Sequence, residues 1–258
     1  MSLELFARPA LLFLPASNPR AIAKARQSGA DAVVLDLEDA VKAEDKAAAR
    51  AAAVTVAAEP WPMPVAIRIN GAGTAEHDDD LAAALGSACD LIVVPMADRP
   101  LGISGKPVAA MIETAAGVLA APAIARTVSA LIVGTNDLAA SLRLSAIERR
   151  SMGFALQSTV VAARAAGIAV FDGVFNRLDD PKGLARECAE SRALGFDGKA
   201  LIHPDQIAPC HTAFAPGDEE IARAERLVAA ASGGAERFEG AMIEDLHVDA
   251  ARRLLARR

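Results

Sequence analysis

Short apolar runs rich in Val, Ile and Leu recur along the chain between longer segments dominated by Ala and charged residues. They occupy positions 11–14, 32–35, 65–69, 91–94, 108–112, 131–133, 168–171 and 200–202. None alternates apolar with polar residues, which is the pattern of strands buried on both faces of a parallel sheet. The stretches between them, such as 19–28, 43–58, 145–166 and 181–194, have helix-forming composition. Gly29, Gly167 and Gly195 follow helical stretches and supply a stop before the next strand. Eight strand-then-helix units in succession predict an α/β fold of the closed TIM (β/α)8 barrel type rather than an open doubly wound sheet.

After the eighth run the pattern changes. Pro216-Gly217-Asp218 opens a helix that reaches Ala231, Ser232-Gly233-Gly234 breaks it, and a last segment runs over 238–258. The expected organisation is therefore a barrel domain over 1–215 and a short helical C-terminal extension over 216–258. The proline-rich run Pro60-Trp61-Pro62-Met63-Pro64 is a stiff connection ahead of the third strand.

Composition narrows the function classes. With 258 residues, 53% of them hydrophobic and 23% charged, the chain can bury a sizeable core. A net charge of −6, no Tyr and a single Trp disfavour a nucleic-acid surface. No apolar run approaches the ~20 residues that span a bilayer, and the first residues lack a basic region ahead of an apolar one, so the expected location is cytoplasmic. Cys89, Cys188 and Cys210 lie far apart and suit small buried positions rather than a disulfide framework or a thiolate metal site.

In such a barrel chemistry occurs where strands end and βα loops begin. The strand ends read Pro15-Ala16-Ser17-Asn18, Asp36-Leu37-Glu38-Asp39, Arg68-Ile69-Asn70, Pro95-Met96, Glu113-Thr114, Gly134-Thr135-Asn136-Asp137, Phe171-Asp172 and His203-Pro204. Carboxylates dominate, and acids crowded at one mouth repel one another unless a cation sits among them. Glu113 and Asp137 end neighbouring strands and offer hard oxygens suited to Mg2+, with helix capping as the alternative use of either. Arg68 interrupts an apolar strand and needs an anion, either a substrate carboxylate or a salt bridge to Glu38 or Asp39. Arg20 and Lys24 share a face at the start of the first helix, placed for a phosphate or as a solvated basic face. Asp172 has two readings, holding water at a metal or pairing with Arg177. His203 reads as a hydrogen-bonded structural residue.

The run Leu11-Leu12-Phe13-Leu14-Pro15 followed by Asp31-Ala32-Val33-Val34-Leu35-Asp36-Leu37-Glu38-Asp39-Ala40-Val41 resembles the citrate lyase beta-subunit-like members of the HpcH/HpaI aldolase superfamily. Arg68-Ile69-Asn70, Ile112-Glu113-Thr114, Gly134-Thr135-Asn136-Asp137-Leu138 and the segment from Gly195 to Gln206 stand in order where that family has its signatures. The resemblance implies a TIM barrel that holds Mg2+, or Mn2+, through Glu113 and Asp137. Arg68, with Gly134, Thr135 and Asn136, would bind the keto or hydroxy acid. It implies an acidic pair, Glu38 and Asp39, that orients Arg68 and water at the metal. Arg20 and Lys24 would meet coenzyme A phosphates.

The implied activity is Mg2+-dependent cleavage or formation of a C–C bond beside an acyl thioester of coenzyme A or an acyl carrier protein, with citryl-, malyl- or citramalyl-type substrates. Related malyl-thioester lyases take their acid/base aspartate from the C-terminal tail of a neighbouring subunit. The matching stretch here is Gly240-Ala241-Met242-Ile243-Glu244-Asp245-Leu246, which puts Glu244 at that position. The extension is therefore expected at a subunit interface of a homotrimer, or within a citrate lyase-type complex. Met96 is a second departure, since many relatives follow this Pro with Lys. Two other readings are an aldolase for free 2-keto acids and a non-catalytic assembly or regulatory subunit.

Overall fold

The computed structural model describes residues 5–146 and 148–255. Eight parallel strands close into a barrel in chain order: β1 (Ala10–Pro15), β2 (Ala32–Asp36), β3 (Val65–Arg68), β4 (Leu91–Val94), β5 (Val108–Ile112), β6 (Ala130–Val133), β7 (Ala169–Asp172) and β8 (Gly198–Leu201). Around them lie α1 (Pro19–Ala25), α2 (Lys46–Ala57), α3 (His77–Gly86), α4 (Ala115–Ile124), α5 (Thr135–Ser141), α6 (Gly153–Ala166), α7 (Pro181–Leu194) and α8 (Ile207–Phe214). The TIM barrel expected from the strand pattern is the fold observed.

Local chemistry fixes where the helices begin and end. Asn18, Thr114 and Asp180 accept the backbone N–H groups of Ala21, Gly117 and Gly183, capping α1, α4 and α7. Pro19 and Pro181 open α1 and α7, where a missing N–H costs nothing. Gly167 and Gly195 adopt the left-handed conformation that ends α6 and α7.

Two parts of the regular alternation are broken. The connection from β4 to β5, residues 95–107, holds no helix, because Pro95, Pro100, Pro107, Gly102 and Gly105 interrupt every stretch long enough to form one. Between β6 and β7 there are instead two helices. The single helix expected over 145–166 starts only at Gly153, after a short 3-10 turn at Arg149–Met152, because Glu148 is extended. Ile147, within that expected span, lies outside the described residues.

Strand geometry sends alternate residues to opposite faces. The barrel interior is packed by Leu11 and Phe13, Ala32 and Val34, Ala66, Leu91 and Val93, Ala109 and Met111, Ala130 and Ile132, Ala169 and Phe171, and Ala200. The outward residues, such as Val33, Leu35, Ile67, Ile112 and Leu131, are bulky and buried.

The chain divides into two compact units, residues 1–211 and 212–258. In the second, α9 (Asp218–Ala230) and α10 (Asp245–Leu255) pack Ala224 and Leu227 against Val248 and Ala251. The extension is not wholly helical as expected. β9 (Glu236–Phe238) and β10 (Ala241–Ile243) form an antiparallel hairpin, with Ile243 joining the apolar cluster. Its two-residue turn, Glu239-Gly240, has positive φ at both positions, the geometry that matches the twist of a hairpin. Positions 256–258, the end of the expected last segment, lie outside the described residues. Among the described residues no helix is long and apolar enough to cross a membrane.

Candidate active site

At the C-terminal end of the barrel strands lies a cavity of about 390 Å³ whose lining includes Asp36, Asp39, Arg68, Glu113 and Asp137. Its most constrained group is Arg68. Asp36 and Arg68 are paired across β2 and β3, and both point inward. Arg68 Nε donates to Asp36 Oδ1 at 2.7 Å and Nη2 to Oδ2 at 2.6 Å, a bidentate pair. Nη1 lies 2.7 Å from Glu38 Oε2, and the guanidinium sits near the Phe13 ring and Met111 Sδ. Asp36 also accepts the backbone N–H groups of Glu38 and Ala40, so the loop after β2 is folded onto the same carboxylate. Burial opposes the charge on Arg68, but the Asp36 hydrogen bonds and the neighbouring acids outweigh it and hold the guanidinium protonated above its ordinary range.

Arg68 has two acidic partners, one of them as expected. Glu38 is one, but Asp36 is the principal one, and Asp39 is exposed at the mouth without an ion pair to Arg68. The loop carrying Glu38 is further fixed by Lys46, whose Nζ donates to the carbonyls of Leu37 and Glu38 and to Asn70 Oδ1. Asn70 itself is anchored by buried Asp80. Burial pushes the Glu38 carboxyl up to about 8, against the opposing charge of Arg68 and with support from Asp39 and Glu113.

Glu113 follows β5 and is almost fully buried. Its Oε1 accepts the backbone N–H of Met96 at 2.6 Å, while its Oε2 is buried with no hydrogen-bond partner. A bare carboxylate oxygen in such a position costs free energy unless something positive meets it. Thr114, not Glu113, caps α4, so capping does not account for this residue. Met96 reaches it from a left-handed backbone, φ 53°, and the β4–β5 connection thus contributes a main-chain donor. Gly134 underlies the arrangement, since a Cβ there would overlap Glu113 Oε2. Asp137, exposed in the first turn of α5, lines the same cavity. Burial pushes the Glu113 carboxyl up to about 7, aided by the charge of Asp137, and burial likewise raises Asp137. An orphaned oxygen beside further carboxylates is a donor set that fits a hard divalent cation with open positions for water and substrate.

Gly134, Thr135 and Asn136 line the cavity, and Asn136 exchanges side-chain hydrogen bonds with Asn176 from the loop after β7. Arg20 and Lys24 are exposed on α1 and make no ion pair with a described residue. Glu244 follows β10 in the second unit, its backbone N–H donating to His247. His203 caps the turn after β8, accepting the N–H of Asp205.

Asp172 serves neither of its expected uses. One residue past inward-facing Phe171, it points out of the barrel and is fully buried, bound by Lys199 Nζ at 2.8 Å, Arg149 Nη1 at 2.9 Å and Ser191 Oγ. It neither faces the mouth nor pairs with Arg177, whose partner is Asp180. Burial would raise its pKa, but Lys199 and Arg149 hold it below the usual carboxylate range. The residues that strand-end reading missed are Asp36 in its role, the Met96 amide and Asn176. Of these only Asp36 had a signal, as the strand-end acid two positions beyond inward Val34.

These features define a TIM barrel with a buried arginine–aspartate pair and further carboxylates gathered at one mouth. The chain matches the HpcH/HpaI aldolase/citrate lyase family over residues 9–105 and 102–204, and it belongs to that family. It is 36% identical over 265 residues to a (3S)-malyl-CoA thioesterase of Cereibacter sphaeroides, covering 96% of this chain and 93% of the relative. It is also 36% identical over 251 residues to a citrate lyase subunit beta-like protein of Mycobacterium tuberculosis, covering 92% and 91%. The structure resembles CitE of M. tuberculosis in complex with magnesium, acetoacetate and coenzyme A, with a TM-score of 0.88 and 34% identity over 98% of this chain and 99% of that one.

Two outcomes follow from this geometry. Gly134→Ala should push the Glu113 carboxylate aside and weaken Mg2+ or Mn2+ binding by about tenfold or more in calorimetry, with an unchanged far-UV circular dichroism spectrum. Raised carboxyl pKa values mean that the folded state holds protons the unfolded chain has released. Stability present below about pH 4.5 is thus lost as pH rises toward about 7 for Glu113 and about 8 for Glu38. Without divalent cation, Tm should fall over that window, Glu38→Gln should flatten the fall, and added Mg2+ should reduce it.

Proposed function

We propose that the protein is a Mg2+-dependent carbon–carbon lyase acting on a hydroxy-acyl thioester of coenzyme A or an acyl carrier, yielding a keto acid and a shorter acyl thioester, or the reverse. The observation that carries this reading is the buried Glu113 with its unpartnered Oε2, in one cavity with Asp137 and the Arg68–Asp36 pair. Glu113 and Asp137 would hold the metal, which when bound supplies Lewis acidity to the hydroxyl or keto oxygen of the substrate. The M. tuberculosis CitE complex with magnesium, acetoacetate and coenzyme A supports this cofactor set.

In this reading Arg68, held flat by Asp36, neutralises the substrate carboxylate. Thr135 and Asn136 supply polar groups at the rim. In the cleavage direction the hydroxyl loses its proton, the C–C bond breaks, and its electron pair passes to the thioester α-carbon as an enolate. Glu38, with a pKa near the working range, is matched to accept the hydroxyl proton. Asp39, exposed beside it, orients water. Glu244 returns a proton to the α-carbon from the extension of a neighbouring subunit in a homotrimer. Exposed Met242 and Leu246, which flank it, support a packed role for that segment. Arg20 and Lys24, which make no ion pair with a described residue, suit the phosphates of coenzyme A. The three free buried cysteines suit a reducing, cytoplasmic setting.

Hydrolysis of the thioester is a second reading, favoured by the likeness to the C. sphaeroides malyl-CoA thioesterases. Product analysis separates the two: malyl-CoA should give glyoxylate and acetyl-CoA if the protein is a lyase, and malate with free coenzyme A if it is a hydrolase. Lyase turnover should need Mg2+, and Glu113→Ala or Asp137→Ala should lower kcat at least about a hundredfold with the fold intact. Turnover that survives chelation would overturn the metal assignment. Glu244→Gln should slow exchange of the acetyl-thioester α-proton with solvent while leaving keto-acid binding unchanged, and unaltered exchange would remove Glu244 from the mechanism.

A further inference from the structure

Lys46, the first residue of α2, is held by neutral oxygens alone. Its Nζ donates to Leu37 O at 2.8 Å, Glu38 O at 2.7 Å and Asn70 Oδ1 at 2.6 Å, and it makes no ion pair with a described residue. Three acceptors saturate an ammonium. A half-buried cation so placed gives up hydration without the return of a carboxylate partner, so the arrangement is poorly explained by stability. What it does achieve is control of two successive peptide groups, on either side of the Glu38 Cα.

The first of these peptides is fixed at both ends. Leu37 O accepts from Lys46 Nζ and also from Asn70 Nδ2 at 2.9 Å, so both of its lone pairs are used. The N–H of the same peptide belongs to Glu38 and donates to Asp36 Oδ1 at 2.9 Å. A cation on the carbonyl and an anion on the amide polarise the group in the same sense, so each bond strengthens the other. The second peptide is held through Glu38 O. With the main chain fixed on both flanks, only side-chain torsions place the Glu38 carboxyl, and it lies 2.7 Å from Arg68 Nη1.

Lys46 is aimed in turn by an acid further out. An asparagine amide can present either end, and Asp80 decides which. Its Oδ2 accepts the Asn70 backbone N–H at 3.0 Å and Asn70 Nδ2 at 2.6 Å. Because a carboxylate only accepts, the amide nitrogen must face Asp80 and the amide oxygen is left for Lys46. Asp80 is fully buried on α3, and its other oxygen takes Arg50 Nε at 2.5 Å, one turn along α2 from Lys46. The chain Arg50, Asp80, Asn70, Lys46 thus runs from two outer helices to the loop after β2, and none of the four lines the cavity.

We propose that Lys46 and Asp80 are positioning residues for Glu38: Asp80 sets the polarity of Asn70, Asn70 and the two carbonyls fix Lys46, and Lys46 holds the backbone from which Glu38 meets the substrate proton. The proposal rests on the reading of Glu38 as the proton acceptor of a lyase and deepens it.

The test is a double-mutant cycle on the full chain with Mg2+, using whichever of malyl-, citramalyl- and citryl-CoA is cleaved fastest. Lys46→Met, which removes the donors, should lower kcat about tenfold or more with KM changed by less than about twofold. In the Glu38→Gln background the same change should cost no more than about twofold, because the group it positions no longer takes a proton. Asp80→Asn should behave as Lys46→Met does in both backgrounds. Asp79→Asn, which removes the exposed second partner of Arg50, should leave kcat within about twofold. Lys46→Gln, which keeps one donor group, replaces Lys46→Met if that variant does not fold. Equal losses in the two backgrounds, or no loss in either, would overturn the positioning role while leaving the lyase reading intact. Failure of the unaltered protein to cleave any of the three thioesters to a keto acid would overturn the lyase reading and this assignment with it.

Discussion

A guanidinium can stand inside the narrow barrel because an aspartate occupies the adjacent strand at the same height. The pairing of Asp36 with Arg68 across β2 and β3 converts two groups that would each be intolerable alone into one planar, doubly hydrogen-bonded unit. Breaking such a buried pair from one side costs about 3–5 kcal/mol, because the survivor is left without compensation. Everything on the charged side of the mouth is arranged around this unit. Asp36 also gathers the amides of Glu38 and Ala40, Glu38 closes on the third nitrogen of Arg68, and Lys46 and Asn70 clamp the loop from behind.

The Glu113 side of the mouth obeys the same economy. Glu113 is oriented by one main-chain donor and by the missing side chain at Gly134, and no second side chain is spent on it. Its remaining oxygen has no hydrogen-bond partner among the described residues, and burial raises its proton affinity.

The barrel, its strand order and most strand positions were legible because buried parallel strands leave continuous apolar runs that need no tertiary context to recognise. What was not legible depended on which face a residue takes. Asp172 and Asp36 both end strands, yet one lies behind the wall with Lys199 and the other in the cavity. Strand alternation places such residues once one inward residue is known: counting by twos from inward Ala66 or Ala109 leads to Arg68 and Glu113. Asp172 falls off that count from Ala169. The hairpin in the extension escaped notice because its turn, Glu239-Gly240, lacks the usual Asn or Asp at its first position. The amide of Met96 could not be foreseen, since a backbone donor carries no residue-type signature.

That last feature separates the orientation of a buried carboxylate from the chemistry of the side chain above it. Position 96 serves Glu113 only through its main chain, and its methionine side chain extends outward, 47% exposed. The left-handed turn costs ~1 kcal/mol whichever non-glycine residue sits there. The side chain at this position can therefore be exchanged without altering the posture of the carboxylate beneath, so that the charge at the entrance and the aim of Glu113 are set independently.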